Sequence, residues 1–157
     1  MTNQNRKLKI ILNGCLFIFF AGILFYTDLL FFHSFHKMFA QFLLCMFIIL
    51  ATRQRSALFL GISLFFLSLE SIIFFGQLEY MLFFALLAYI TVKLLNDVIQ
   101  MSLAIPLISL TTNLIIQKTF TSLYLHYPYT DFLYTIGHFS FNLLFLMLYW
   151  IFENNGK

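Results

Sequence analysis

The amino-acid sequence predicts an all-α membrane protein, a bundle of six transmembrane helices with both termini in the cytoplasm. Of its 157 residues, 62% are hydrophobic and 10% charged, with a mean hydropathy of +0.93. A soluble domain runs nearer ~45–50% apolar and ~25% charged, and a chain this short has too little interior to bury so much apolar surface in water. The apolar residues also fall into runs suited to a bilayer core about 30 Å thick, which takes roughly 20 residues per helical span. These proportions exclude a soluble enzyme, a nucleic-acid reader and a disulfide scaffold.

The first span is expected over residues 10–32, behind Arg6, Lys7 and Lys9. That start resembles a signal peptide, but the run is too long for one and shows no small-residue cleavage pattern. It reads as an uncleaved helix. A short second span, 38–52, ends at Arg53-Gln54-Arg55, and the third, 56–75, breaks at Gly76. The fourth covers 78–95. The fifth, 98–117, contains Pro106, which removes a backbone hydrogen bond and predicts a kink near the helix middle. The sixth, 132–152, follows the aromatic, polar stretch TFTSLYLHYPYTD. Connections are short, so consecutive helices should pack as antiparallel neighbours. Together the six make a single polytopic domain, 1–157.

Basic residues set the orientation. Cytoplasmic termini place Arg6, Lys7, Lys9, Arg53, Arg55, Lys93 and Lys157 inside, leaving Lys37 and Lys118 outside. The external connections then carry His33, His36, His126, Tyr124, Tyr127 and Tyr129, a plausible interfacial belt. Cys15 and Cys45 sit in apolar runs without a CxxC pattern and read as two buried thiols. The 23 phenylalanines, spread through every apolar run, read as lipid-facing filler.

Polar and small residues inside the hydrocarbon should face the bundle. Gly14, Ala21 and Asp28 recur every seventh position on the first helix. Ala57, Gly61 and Ser68 mark the third, and Ala85, Ala88 and Thr91 the fourth. Ser102, Pro106, Ser109, Asn113 and Gln117 share a face of the fifth, and Asp131, His138 and Asn142 one of the sixth. These last stripes suit interhelical hydrogen bonding or a solute cavity. Glu70 lies roughly 9 Å below the outer end of the third helix at 1.5 Å per residue, where an ionised acid costs ~2.5–3.5 kcal/mol at helix centre. With Asn113 and His138 at similar depth, an outer-leaflet polar cluster of Glu70, Asn113 and His138 is expected, serving transport or locking the bundle.

No catalytic constellation emerges. His33 and His36 lack further ligands for a metal, and neither a Ser–His–Asp set, a phosphate loop nor HExxH can be assembled. The sequence therefore predicts no enzyme, no metal, no cofactor and no nucleic-acid partner. Membrane lipid is the expected environment.

Residues 58–95, LFLGISLFFLSLESIIFFGQLEYMLFFALLAYITVKLL, resemble the MreD family of bacterial rod-shape-determining proteins. The family pattern has a third helix with a small residue and then Leu-Asp, a short Gly-containing turn, and a fourth helix closing on Gly/Ala-Tyr and a basic residue. Those positions here are Gly61, Leu69-Glu70, Gly76-Gln77-Leu78, Ala88-Tyr89 and Lys93. Departures are Glu70 for the usual Asp, Glu79 for a Gly after the turn, and His36-Lys37 where a Pro commonly stands. The resemblance implies a non-enzymatic, multi-pass subunit of the cell-elongation machinery in the bacterial inner membrane. Its partners would be MreC and, through it, MreB and the peptidoglycan polymerase–transpeptidase pair. Arg53, Arg55 and Lys93 would form its cytoplasmic basic face. MreD-like proteins are also similar to the substrate-binding S components of energy-coupling-factor vitamin transporters, which supply the alternative reading.

Overall fold

The computed structural model describes residues 3–34, 41–53, 56–98, 103–124 and 132–155. These form six helices: α1 (Asn3–Ser34), α2 (Phe42–Thr52), α3 (Ala57–Phe75), α4 (Glu79–Val98), α5 (Ala104–Tyr124) and α6 (Phe132–Asn155). Three of them are long and apolar enough to cross a membrane, over Ile10–Phe31, Ala57–Phe74 and Glu79–Val98. The protein is all-helical over the described residues, with the composition of a membrane protein.

The architecture is built around α2. Every residue from Phe42 to Ala51 is buried, and α2 touches each of the other five helices. A helix that is apolar all round has no polar face to offer water and must be enclosed. Around it the remaining helices pack in the order α1, α3, α4, α5, α6. Their outer faces are apolar too: Phe19, Phe65, Leu86, Ile115 and Leu148 are all exposed. An apolar exterior of this kind matches lipid rather than water.

Helix directions follow from side-chain pairs. Phe17 meets Phe59 with ring centroids 4.7 Å apart and Phe25 meets Phe66 at 5.7 Å, so α1 and α3 run parallel. Two parallel helices consecutive in the outer ring need a return passage between them, and α2 supplies it. The last seam of the ring, between α6 and α1, is of a different kind. Among the described residues no Cα of α1 comes within 8 Å of one of α6. Rings bridge the gap instead, Phe20 to Tyr149 at 6.1 Å and Phe31 to Phe141 at 5.7 Å. The pairing order makes α1 and α6 antiparallel.

Several sequence expectations change. At α2, Gln41 is a non-helical cap rather than helix, and the expected start at Met38 lies outside the described residues. Val98 ends α4 instead of opening the fifth helix. Because α5 begins at Ala104, Pro106 falls in its first turn, where an N–H has no intrahelical partner to lose and the fixed φ is already helical. The proline therefore starts the helix rather than kinking its middle. Cys45 is buried, but Cys15 is exposed on the outer face of α1. The phenylalanines serve two roles. Phe42, Phe47 and Phe84 are core, and Phe42 packs on Phe145 with centroids 4.4 Å apart, while Phe19, Phe65 and Phe83 face outward.

The small-residue seams are likewise sorted by the packing. Ala21 and Asp28 are buried, but a Cβ on Gly14 would meet nothing within 4 Å. On α3 the inward face is Ser63, Leu67, Glu70 and Ser71. Ala57 and Gly61 point outward, into open space at Gly61. On α4, Ala85 and Ala88 are buried as expected, continued by Val92. Thr91 and Ser68 satisfy their hydroxyls on the carbonyls of Leu87 and Leu64 within their own helices, a local bond that removes the need for a partner helix.

Candidate functional site

A helix of 11 residues is about 16 Å long at 1.5 Å per residue and cannot cross ~30 Å of hydrocarbon. One end of α2 must therefore stop inside the bundle, and the first N–H groups of any helix lack intrahelical acceptors. With no water to accept them, the protein must provide oxygens. This requirement builds the site.

Asp28, the one acid of α1, caps that end. Its Oδ1 accepts from the Phe42 N–H at 3.1 Å and its Oδ2 from the Leu43 N–H at 3.1 Å. The positive end of the helix dipole favours a negative charge there. One residue earlier, the Gln41 N–H donates to Asn142 Oδ1 on α6 at 2.8 Å, and Gln41 Nε2 donates to Gln117 Oε1 on α5 at 2.6 Å. Gln117 donates on to Met81 Sδ of α4 at 3.9 Å, with the Tyr80 hydroxyl beside it. Asn142 also takes the Cys45 thiol, through its backbone carbonyl at 3.6 Å, and donates to the His138 carbonyl at 2.9 Å. From α3, the carboxyl of Glu70 lies against that of Asp28. All six helices thus contribute to one polar centre at the head of α2. Asp28, Gln41, Glu70, Gln117 and Asn142 are all buried in it.

The acceptors there are incompletely satisfied. Neither carboxyl oxygen of Glu70 nor Oε1 of Gln41 meets a hydrogen-bond donor among the described residues. The opposite end of α2 is fixed differently, by the Arg53 guanidinium lying 4.0 Å over the ring of Trp150 on α6, a cation–π contact.

The residues singled out from sequence are distributed as follows. Glu70 is in the polar centre, paired with Asp28. Asn113 is on the α4–α5 contact: oriented to satisfy both amide atoms, it donates to the Phe84 carbonyl at 3.1 Å and accepts from the Ala88 N–H at 3.2 Å. Its neighbour Ser109 donates to the Ala88 carbonyl at 3.3 Å. His138 is half-buried one turn before Asn142. Gly76 adopts φ 67° and caps α3, its N–H bonding the Ile72 carbonyl at 3.0 Å. Ser71 then ties the turn, donating to the Gln77 carbonyl and accepting from the Met81 N–H at 3.0 Å. Gly61, Tyr89 and Lys93 face outward. Arg55, His36, Lys37, Ser102, His126, Tyr127, Tyr129, Asp131 and Lys157 lie outside the described residues, and nothing is described of the side chains of Arg6, Lys7, Lys9, His33 and Tyr124.

Gln41 was not singled out by the sequence, and Asp28 only as part of a seam. The signal that points to both is the shortness of the second apolar run, which obliges nearby polar residues to cap a buried helix end. Comparison with family models, curated proteins and solved structures finds no match to this chain.

Proposed function

We propose that this chain is a non-enzymatic membrane subunit of the bacterial cell-elongation complex, an MreD-like scaffold in the inner membrane with six spans and cytoplasmic termini. The observation that carries the reading is the pattern over residues 58–95, where Gly61, Leu69-Glu70, Gly76-Gln77-Leu78, Ala88-Tyr89 and Lys93 follow the family's order. The mechanism is docking. Outer helix faces bind the spans of MreC and, through it, connect MreB with the peptidoglycan polymerase–transpeptidase pair. Arg53, Arg55 and Lys93 lie on the cytoplasmic side, where each basic residue near an anionic surface is worth about 1 kcal/mol.

The interior supports a scaffold over the alternative S component. A solute carrier needs a cavity lined by polar groups, whereas the polar stripes of α5 and α6 are engaged at Gln117 and Asn142 by Gln41 and α2 fills the middle of the bundle.

Crosslinking the tagged chain in its native membranes and identifying co-purified proteins tests the proposal. MreC or wall-synthesis enzymes are expected. Recovery of a transmembrane coupling subunit with its ATPases would replace the scaffold with solute capture.

A further inference from the structure

Two carboxyls pressed together away from water cannot both carry charge without a compensating cation or proton. At the head of α2 the described residues bring these groups into the same polar centre. From α2 come the Phe42 and Leu43 N–H groups and, one turn on, the Cys45 thiol. Around Gln41 in the same centre stand Met81 and Tyr80 of α4, Gln117 of α5 and Asn142 of α6, with half-buried His138 one turn before Asn142. No Lys, Arg or His whose side chain is described forms an ion pair with Asp28 or Glu70.

The two acids are not equivalent. Both oxygens of Asp28 accept backbone N–H bonds, and the helix N-terminus stabilises its negative charge. Glu70 is fully buried, and neither of its oxygens meets a donor among the described residues. Ionised, it would stand as an uncompensated charge in hydrocarbon beside another carboxylate, the costliest arrangement available. Protonated, it becomes a donor, and the Asp28 carboxylate lies beside it as acceptor.

We propose that Asp28 and Glu70 form a proton-binding site in the membrane, with the proton held on Glu70 and donated in a hydrogen bond to the Asp28 carboxylate. The site carries one negative charge, shared with the first turn of α2. The proton fastens α3 to the α1–α2 junction, so its occupancy is a condition for seating the head of the central helix. The inference stands on this geometry and is independent of the scaffold reading.

Infrared spectroscopy of the whole protein in nanodiscs tests it, because a protonated carboxylic acid has a carbonyl stretch separate from those of carboxylates. At neutral pH the wild-type protein should show that band. It should shift when glutamate is supplied with a ¹³C carboxyl and stay in place when aspartate is so labelled, which assigns the residue type without substitution. Glu70→Gln, whose amide can donate to Asp28 in place of the acid, should lose the band and keep the wild-type thermal midpoint. A wild-type spectrum without the band would overturn the proposal. A band that follows the aspartate label would also overturn it. So would a band that appears only when sodium and potassium are withdrawn, which would identify a metal cation between the acids instead.

Discussion

Asp28 meets a demand that lipid cannot. It accepts two N–H groups that would otherwise be stranded inside the bundle. Leaving a buried donor without a partner costs about 1–3 kcal/mol, so Asp28→Ala should destabilise the protein by roughly 2–6 kcal/mol, with two donors orphaned. Asp28→Asn keeps one acceptor oxygen and should fall between Ala and wild type. Chemical denaturation in mixed micelles, followed by circular dichroism, measures both. An Asp28→Ala protein as stable as wild type would show that α2 finds other acceptors. Glu70 was legible in the sequence because a carboxylate in an apolar run is conspicuous. Its partner was not, since Asp28 and Glu70 are 42 positions apart in sequence. Only the parallel packing of α1 and α3 brings them together.

Among the helices, α2 is the one whose loss would be felt everywhere. In lipid there is no water to expel between helices, so packing supplies the stability. Ile48 is fully buried, whereas Leu86 faces outward. Ile48→Ala leaves a cavity and should cost about 2 kcal/mol, the low end of the range for large-to-small core changes; Leu86→Ala exchanges one lipid contact for another and should be near neutral. The same denaturation experiment separates them, and equal effects would mean that α2 is not enclosed. Element existence was readable from hydropathy, and the break at Gly76 from its type alone, since an αL position favours glycine. Burial was harder to read, because in lipid inward and outward faces are both apolar and periodicity loses its contrast. That is why Gly61 and Ala57, small residues at helical spacing, face outward, while Ser63 and Ser71 turn inward. Pro106 was misplaced for a related reason, the helix start being invisible in a continuous apolar run.

Five outer helices closed around a short central one leave a broad apolar exterior, and a scaffold must use part of it. The seam between α1 and α6, filled by rings instead of close backbone contact, shows that the ring is not uniform. The head of α2 ties all six helices into a unit, so a partner span gripping one face is mechanically coupled to the rest. The scaffold proposal is tested most directly by photo-crosslinking in native membranes. A photoreactive amino acid would be placed in turn at Phe19, Phe65, Leu86, Ile115 and Leu148, each exposed on a different outer helix. The account predicts crosslinks to the span of a bitopic partner such as MreC from one contiguous face and to lipid from the others. Crosslinks to lipid alone from all five positions, or to a transporter coupling subunit, would contradict it.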